Sequence, residues 1–214
     1  DGGYYTNWHF SDNLVKDLIE SLIDSKVDII ELGYKSDVPG GRFRKCDDNQ
    51  LVKILPMLEN KYAFMIDMKD FIKDNQLDFS LINKVIKEKN FFSFCRLAIK
   101  SDQISYVPAM HEILKQRGYK IIVNLMKATD IAAEELLSIC STLKDLDLEA
   151  VYFADSYGSL YPQQINSIVK ALKITQKNIG FHSHDNLGLA FANSLECLNQ
   201  GVLYIDGTVT GMGR

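Results

Sequence analysis

Apolar, β-branched and aromatic residues gather in short runs at residues 27–33, 62–67, 94–100, 119–125, 150–156, 178–184 and 203–209. Each run has the length of a single strand. Between them lie segments whose apolar positions return every three or four residues, the spacing of a helix with one buried face. Helix-start signals precede several of these segments: Ser11-Asp12 ahead of Leu14, Leu18 and Leu22, and Asp47-Asp48 ahead of Leu51, Ile54 and Leu55. Ser101-Asp102 likewise stands ahead of His111 and Leu114, and Asp130 ahead of Leu136, Leu137 and Ile139. Short polar side chains there accept hydrogen bonds from backbone N–H groups that a first helical turn leaves unpaired.

Successive runs start roughly 25 to 35 residues apart, the period of a strand-helix unit in a parallel sheet. No linker or low-complexity stretch interrupts them, so residues 1–214 are expected to form a single catalytic domain. An open doubly wound sheet and a closed barrel share this local pattern. Polar residues decide between them: the strands end at Glu31, Asp67, Lys100, Asn124, Asp155, His182 with His184, and Asp206 with Thr208. In a barrel those ends meet on one rim, where barrel enzymes keep their chemistry. An open sheet would call for a Gly-rich phosphate loop after its first strand, and none occurs. The expected fold is therefore α/β, a TIM (β/α)8 barrel. Seven strands are one short of closure, so this chain is expected to lack most of the first strand and the last helix, as a fragment of a longer one.

With 214 residues, 46% of them hydrophobic, the chain can bury one sizeable core. Its net charge of −4 and pI near 5.6, with scattered Lys and Arg, give no footprint for nucleic acid or an anionic membrane. A small soluble substrate fits better. Cys46, Cys95, Cys140 and Cys197 lie far apart, without the spacing of a disulfide framework or zinc ribbon, and read as reduced, buried thiols of a cytoplasmic protein. No apolar run approaches the ~20 residues that span a bilayer, and no signal-peptide pattern opens the chain.

Within Gly180-Phe181-His182-Ser183-His184-Asp185, residues two apart on a strand point to the same side, so His182 and His184 can face one cation. Two neutral imidazoles leave a divalent ion short of charge, and a carboxylate is needed. Asp1, Asp67, Asp155, Asp185 and Glu31 are the candidates, with Asp1, at the head of a D-G-G turn, preferred.

Several separated motifs together resemble the DRE-TIM metallolyases, the barrel family that includes HMG-CoA lyase. Asp1-Gly2-Gly3 resembles the end of that family's R-D-G motif, Glu31-Leu32-Gly33 its E-x-G, and Asp155-Ser156-Tyr157-Gly158 with Pro162 its D-[ST]-x-G…P element. The most specific match is His182-Ser183-His184-Asp185-Asn186-Leu187-Gly188-Leu189-Ala190, followed by Ala192-Asn193 and by Asp206-Gly207-Thr208…Gly211-Met212-Gly213. The resemblance implies a divalent metal held by Asp1, His182 and His184. Asn186, where acyl-CoA condensing members carry Asp, is similar to the 4-hydroxy-2-oxovalerate aldolase branch. It implies a carbon-carbon lyase acting on a 2-oxo acid through a pyruvate enolate. Mg2+ or Mn2+ suits the open, oxygen-rich sphere, with Zn2+, Co2+ and Fe2+ left open. A homo-oligomer and a partner dehydrogenase are left open too. The family's general-base His is Tyr4 here, so Tyr4, Tyr5, His9 or a metal-bound water takes that role, and Tyr4, Glu31 and Asp155 are the catalytic candidates.

Each of these residues also has a plainer reading. Glu31 holds the metal aspartate or a neighbouring Arg, Asp67 pairs with Arg96, and Asp155 caps the following helix or touches substrate. His111 is expected on the surface, Trp8, His9 and Phe10 pack over a barrel end, and Phe91, Phe92 and Phe94 belong to the core. Two other functions compete: a Claisen-type acyl-CoA synthase or lyase, and a catalytically silent barrel serving as a binding or regulatory domain.

Overall fold

The computed structural model describes residues 2–211; Asp1, and Met212 and Gly213 of the last motif, lie outside the described residues. Each of the seven apolar runs contains a strand: β1 (Ile30–Tyr34), β2 (Tyr62–Asp67), β3 (Phe94–Ile99), β4 (Lys120–Leu125), β5 (Ala150–Ala154), β6 (Asn178–His182) and β7 (Tyr204–Ile205). Among the described residues they form one parallel sheet with neighbours in chain order from β1 to β7. The order never reverses, so there is no switch point of the kind a doubly wound sheet contains, and the topology is that of a (β/α) barrel.

The main helices are α1 (Asp12–Asp24), α2 (Phe79–Val85), α3 (Val107–Gln116), α4 (Ala133–Lys144), α5 (Pro162–Leu172) and α6 (Ala190–Asn199). Ser11 caps α1, its Oγ accepting from the Leu14 N–H at 3.3 Å. Asp47 caps in the same way, Oδ1 to the Gln50 N–H at 3.1 Å, yet the helix it starts lasts one turn, Asp48–Leu51. Pro56 follows closely, and a residue before proline is pushed out of the helical region. Ser101-Asp102 opens a tight 3-10 segment, Ser101–Tyr106, before α3 begins. Two features lacked a strong sequence signal: α2, whose Asp78 cap accepts from the Leu81 N–H at 3.0 Å, and a small hairpin of Ile72–Lys73 with Gln76–Leu77.

The chain groups into two compact units, Gly2–Leu97 with Glu112–Lys120, and residues 98–111 with 121–211. In the first unit the core is aromatic. Tyr62 stacks on Phe91 at 4.7 Å between centroids, and Phe64 meets Phe92 and Tyr119 edge-on, so Phe91, Phe92 and Phe94 are core residues as expected. In the second unit β5 and β6 pair in register, Ala154 opposite His182, with Phe153 against Phe181 at 4.8 Å. Ile139, Leu143, Ile165 and Val169 bury their helices' apolar faces in that unit. His111 is not on the surface: it is 6% exposed, and its Nε2 meets the Asp147 carbonyl at 3.0 Å. A ring that satisfies its polar edge on a backbone oxygen can be buried at little cost. All four cysteines are buried and free. No helix among the described residues is long and apolar enough to cross a membrane.

Candidate metal centre

His182 ends β6, where two backbone hydrogen bonds hold the strand: Asp155 N–H to the His182 carbonyl at 2.9 Å, and Asp206 N–H to the Phe181 carbonyl at 3.1 Å. The second brings Asp206 beside the imidazole, and His182 Nδ1 lies 2.7 Å from Asp206 Oδ2. A carboxylate accepts, so Nδ1 carries a proton and, in the neutral ring, Nε2 keeps its lone pair. That lone pair faces His184, with the two Nε2 atoms 3.2 Å apart. For metal-nitrogen bonds of ~2.0–2.2 Å, this separation subtends about 93–106° at a shared cation, near the angles of octahedral or tetrahedral coordination. A carboxylate on the outer nitrogen of a metal-binding histidine is a recurrent arrangement that fixes the ring's tautomer and orientation. The pair stays reachable, the side chains of His182 and Asp206 being 20% and 25% exposed.

The donor set therefore fits a divalent cation on the imidazole side. Among the described residues no group of three His, Cys, Asp or Glu side chains is arranged to hold a metal. Asp1, the third ligand expected from the sequence, lies outside the described residues. Asp206 was visible in the sequence as a polar strand end and as part of the Asp206-Gly207-Thr208 match, without a role; its bond to His182 joins residues 24 apart and has no local signature.

Asp155 is fully buried, with Oδ1 accepting from the Ser159 N–H at 2.9 Å and Oδ2 from the Leu160 N–H at 3.0 Å. It organises the loop ahead of α5, whose N-cap position is Tyr161. Asp185 accepts from the Ala190 N–H at 2.9 Å, at the start of α6.

The remaining candidates belong to the first unit. Glu31 Oε2 is 3.6 Å from Arg96 Nη1, in keeping with the plainer reading of that residue. Asp67 pairs with Lys69 at 2.8 Å instead of with Arg96, and this bond raises the Lys69 pKa. Tyr4 is 41% exposed, and its hydroxyl is 3.0 Å from that of Tyr34. Burial, and then Tyr4, push the Tyr34 phenol well above its ordinary range. Trp8 packs edge-on against both rings, at 5.4 Å from Tyr4 and 5.2 Å from Tyr34, and the Arg44 guanidinium sits 4.6 Å above Tyr34. Phe10 packs on Phe43; His9 is exposed. Tyr34 was missed by sequence reasoning, although it directly follows Glu31-Leu32-Gly33.

Comparison with known proteins gives concordant results. The chain is 28% identical over 222 residues to 4-hydroxy-2-oxovalerate aldolase 3 of Rhodococcus jostii (strain RHA1), a match covering 100% of this chain and 63% of that protein. It thus spans about three fifths of the length of the curated relatives it matches. Among solved structures, the N-terminal domain of an aldolase candidate from Bacteroides vulgatus matches with a TM-score of 0.78 and 26% identity, over 100% of this chain and 71% of that one. Hydroxymethylglutaryl-CoA lyase from Pseudomonas aeruginosa shares the fold, with a TM-score of 0.72 at 14% identity over 96% of this chain and 73% of that one. The family model described as HMGL-like matches residues 1–214, and the chain belongs to the HMGL-like family.

Proposed function

We propose that this chain forms a single catalytic domain of a divalent-metal-dependent aldolase that cleaves a 4-hydroxy-2-oxo acid to an aldehyde and pyruvate. The observation that carries the proposal is the meeting of His182 and His184 at 3.2 Å between Nε2 atoms, with His182 Nδ1 bound to Asp206. Its relative's name, 4-hydroxy-2-oxovalerate aldolase, supports the substrate class. Asp1, His182 and His184 would hold the cation, with Mg2+ or Mn2+ the best match. When bound, such a cation supplies Lewis-acid stabilisation of charge on the oxygens of a 2-oxo acid.

The chain's own residues do the rest. A base takes the proton of the 4-hydroxyl, the electrons of the C3–C4 bond move toward the C2 carbonyl, and aldehyde and pyruvate enolate separate; a proton returned to C3 completes pyruvate. Tyr4 is that base in this reading. Tyr34, kept protonated by burial, has its hydroxyl 3.0 Å from that of Tyr4 and holds the Tyr4 ring in place. Glu31 orients Arg96 through their ion pair, and Asp155 acts by positioning its loop.

The test is Mn2+-dependent exchange of pyruvate methyl protons with D2O, followed by NMR, alongside direct Mn2+ titration. Exchange by the wild type, its loss in His184→Ala, and a ~10²-fold or greater loss of cleavage rate in Tyr4→Phe are expected. Full metal stoichiometry in both His182→Ala and His184→Ala would refute the ligand assignment, and absent exchange in the wild type would refute enolate chemistry.

A further inference from the structure

His182 is set by its strand, but His184 lies beyond the end of β6, in a loop. What holds that loop is visible at Gly158. This residue is buried at φ +59°, and a Cβ built on it would fall 2.5 Å from Asn186 Oδ1, 2.6 Å from Asn186 N and 2.9 Å from Asn186 Cβ. The Asn186 backbone thus rests directly on the face of Gly158, closer than any side chain would allow. Gly158 is itself tightly fixed: its N–H donates to the Asp155 carbonyl at 3.0 Å, while the Asp155 carboxylate holds Ser159 and Leu160. The same loop is anchored on two more sides, by Ser156 Oγ accepting from the Lys127 N–H at 2.8 Å and by the Leu160 carbonyl accepting from Asn193 Nδ2 at 2.8 Å.

We propose that Gly158 is a positioning residue for the histidine pair: the loop organised by Asp155 offers a face without Cβ on which Asn186 seats, and this seat fixes His184 opposite His182. The proposal rests on the metal-site reading above and adds to it the element that aims the second ligand. Asn186 thereby acquires a physical role, as the contact through which one loop registers the other. Gly188 supplies the control. It lies in the histidine loop at φ +69°, so alanine there carries the same left-handed backbone strain, but nothing lies within 4 Å of its would-be Cβ.

The experiment is Mn2+ titration of the intact protein, with backbone amide exchange of residues 184–187 measured on the metal-free form. Gly158→Ala is expected to weaken Mn2+ binding ~10–100-fold, the range for removal of groups that orient a ligand, and to speed exchange across 184–187. Gly188→Ala is expected to leave affinity within error of the wild type. Asn186→Gly, which removes the Oδ1 and Cβ part of that contact while leaving the backbone N in place, should lose affinity in the same direction, and it keeps the question answerable should Gly158→Ala fail to fold. Equal losses in Gly158→Ala and Gly188→Ala would assign the effect to strain and overturn the proposal, as would unchanged affinity and exchange in Asn186→Gly. A wild type that binds no Mn2+ sinks the metal reading instead, and the exchange data then decide whether the loops are coupled.

Discussion

Lys35–Asp48 in the first unit and His182–Asp206 in the second are both close pairings of a nitrogen base with a carboxylate, at 2.5 and 2.7 Å. Their surroundings differ. The Lys35 and Asp48 side chains are 4% and 14% exposed. The ammonium also lies 4.7 Å from the Phe64 ring centroid and 5.0 Å from that of Phe92, while the other Asp48 oxygen accepts from the Phe91 N–H at 3.3 Å. Rings and backbone crowd both charges and leave them little contact with solvent. His182 spends one nitrogen on Asp206 and turns the other, with its lone pair, toward His184. An enclosed pair organises a core; a pair with one directed lone pair in reach of solvent is equipped to hold something else.

The largest expected effect is on the enclosed pair. Lys35→Ala leaves Asp48 buried without its counter-charge and should cost about 3–5 kcal/mol in urea unfolding, whereas Lys35→Met combined with Asp48→Leu should recover most of that loss. Neither change is expected to alter Mn2+ affinity. Asp206→Asn is the mirror experiment. It should lower Mn2+ affinity ~10–100-fold while shifting unfolding by less than about 1 kcal/mol, the range of one neutral hydrogen bond. A large stability loss without an affinity change would place His182–Asp206 in the same class as Lys35–Asp48.

Thiol chemistry sharpens the contrast further. Burial raises the thiol pKa of Cys46 and Cys95, outweighing the opposite pull of nearby Lys35. It also pushes Cys140 up to about 11 and Cys197 up to about 12, from an ordinary value of 9.0. A thiol whose pKa is raised on folding contributes stability that is complete below the unfolded pKa and is lost as pH rises toward the folded one. The urea midpoint should therefore be insensitive to these thiols below about pH 9 and fall between about pH 9 and 12. At pH 8 the native chain should resist a thiol reagent that labels all four cysteines after unfolding. Rapid labelling of Cys46 or Cys95 would show that the Lys35 environment opens readily. The smallest effect calibrates the rest: Ser11→Ala removes a neutral cap from α1 and should cost about 1 kcal/mol.

How much could be read in advance follows from the range of each interaction. The β2 boundaries coincide with the apolar run at 62–67. The caps Ser11 and Asp47 were legible because each binds an N–H three residues away. The H-x-H spacing of His182 and His184 was legible, but the strand ends at His182, and His184 meets its partner from the loop beyond. The length of the helix after Asp47 was overestimated, since apolar spacing through Ile54 and Leu55 outweighed the warning from Pro56. His111 was misplaced because its partner, the Asp147 carbonyl, comes from a distant loop. Asp155 was read as a cap or substrate contact, and its enclosure by Ser159 and Leu160 emerged only from the folded loop.

Alone, then, the amino-acid order determined the alternation of strands and helices, the in-sequence strand series of a barrel, and two histidines at H-x-H spacing at a strand end. Tertiary structure decided that Asp206 orients His182, that Tyr34 backs Tyr4, and that Gly158 seats Asn186. The first set depends on backbone periods and hydrogen bonds spanning a few residues, which leave a trace in any short window. The second joins residues 24 to 30 apart, brought together only once neighbouring strands have aligned.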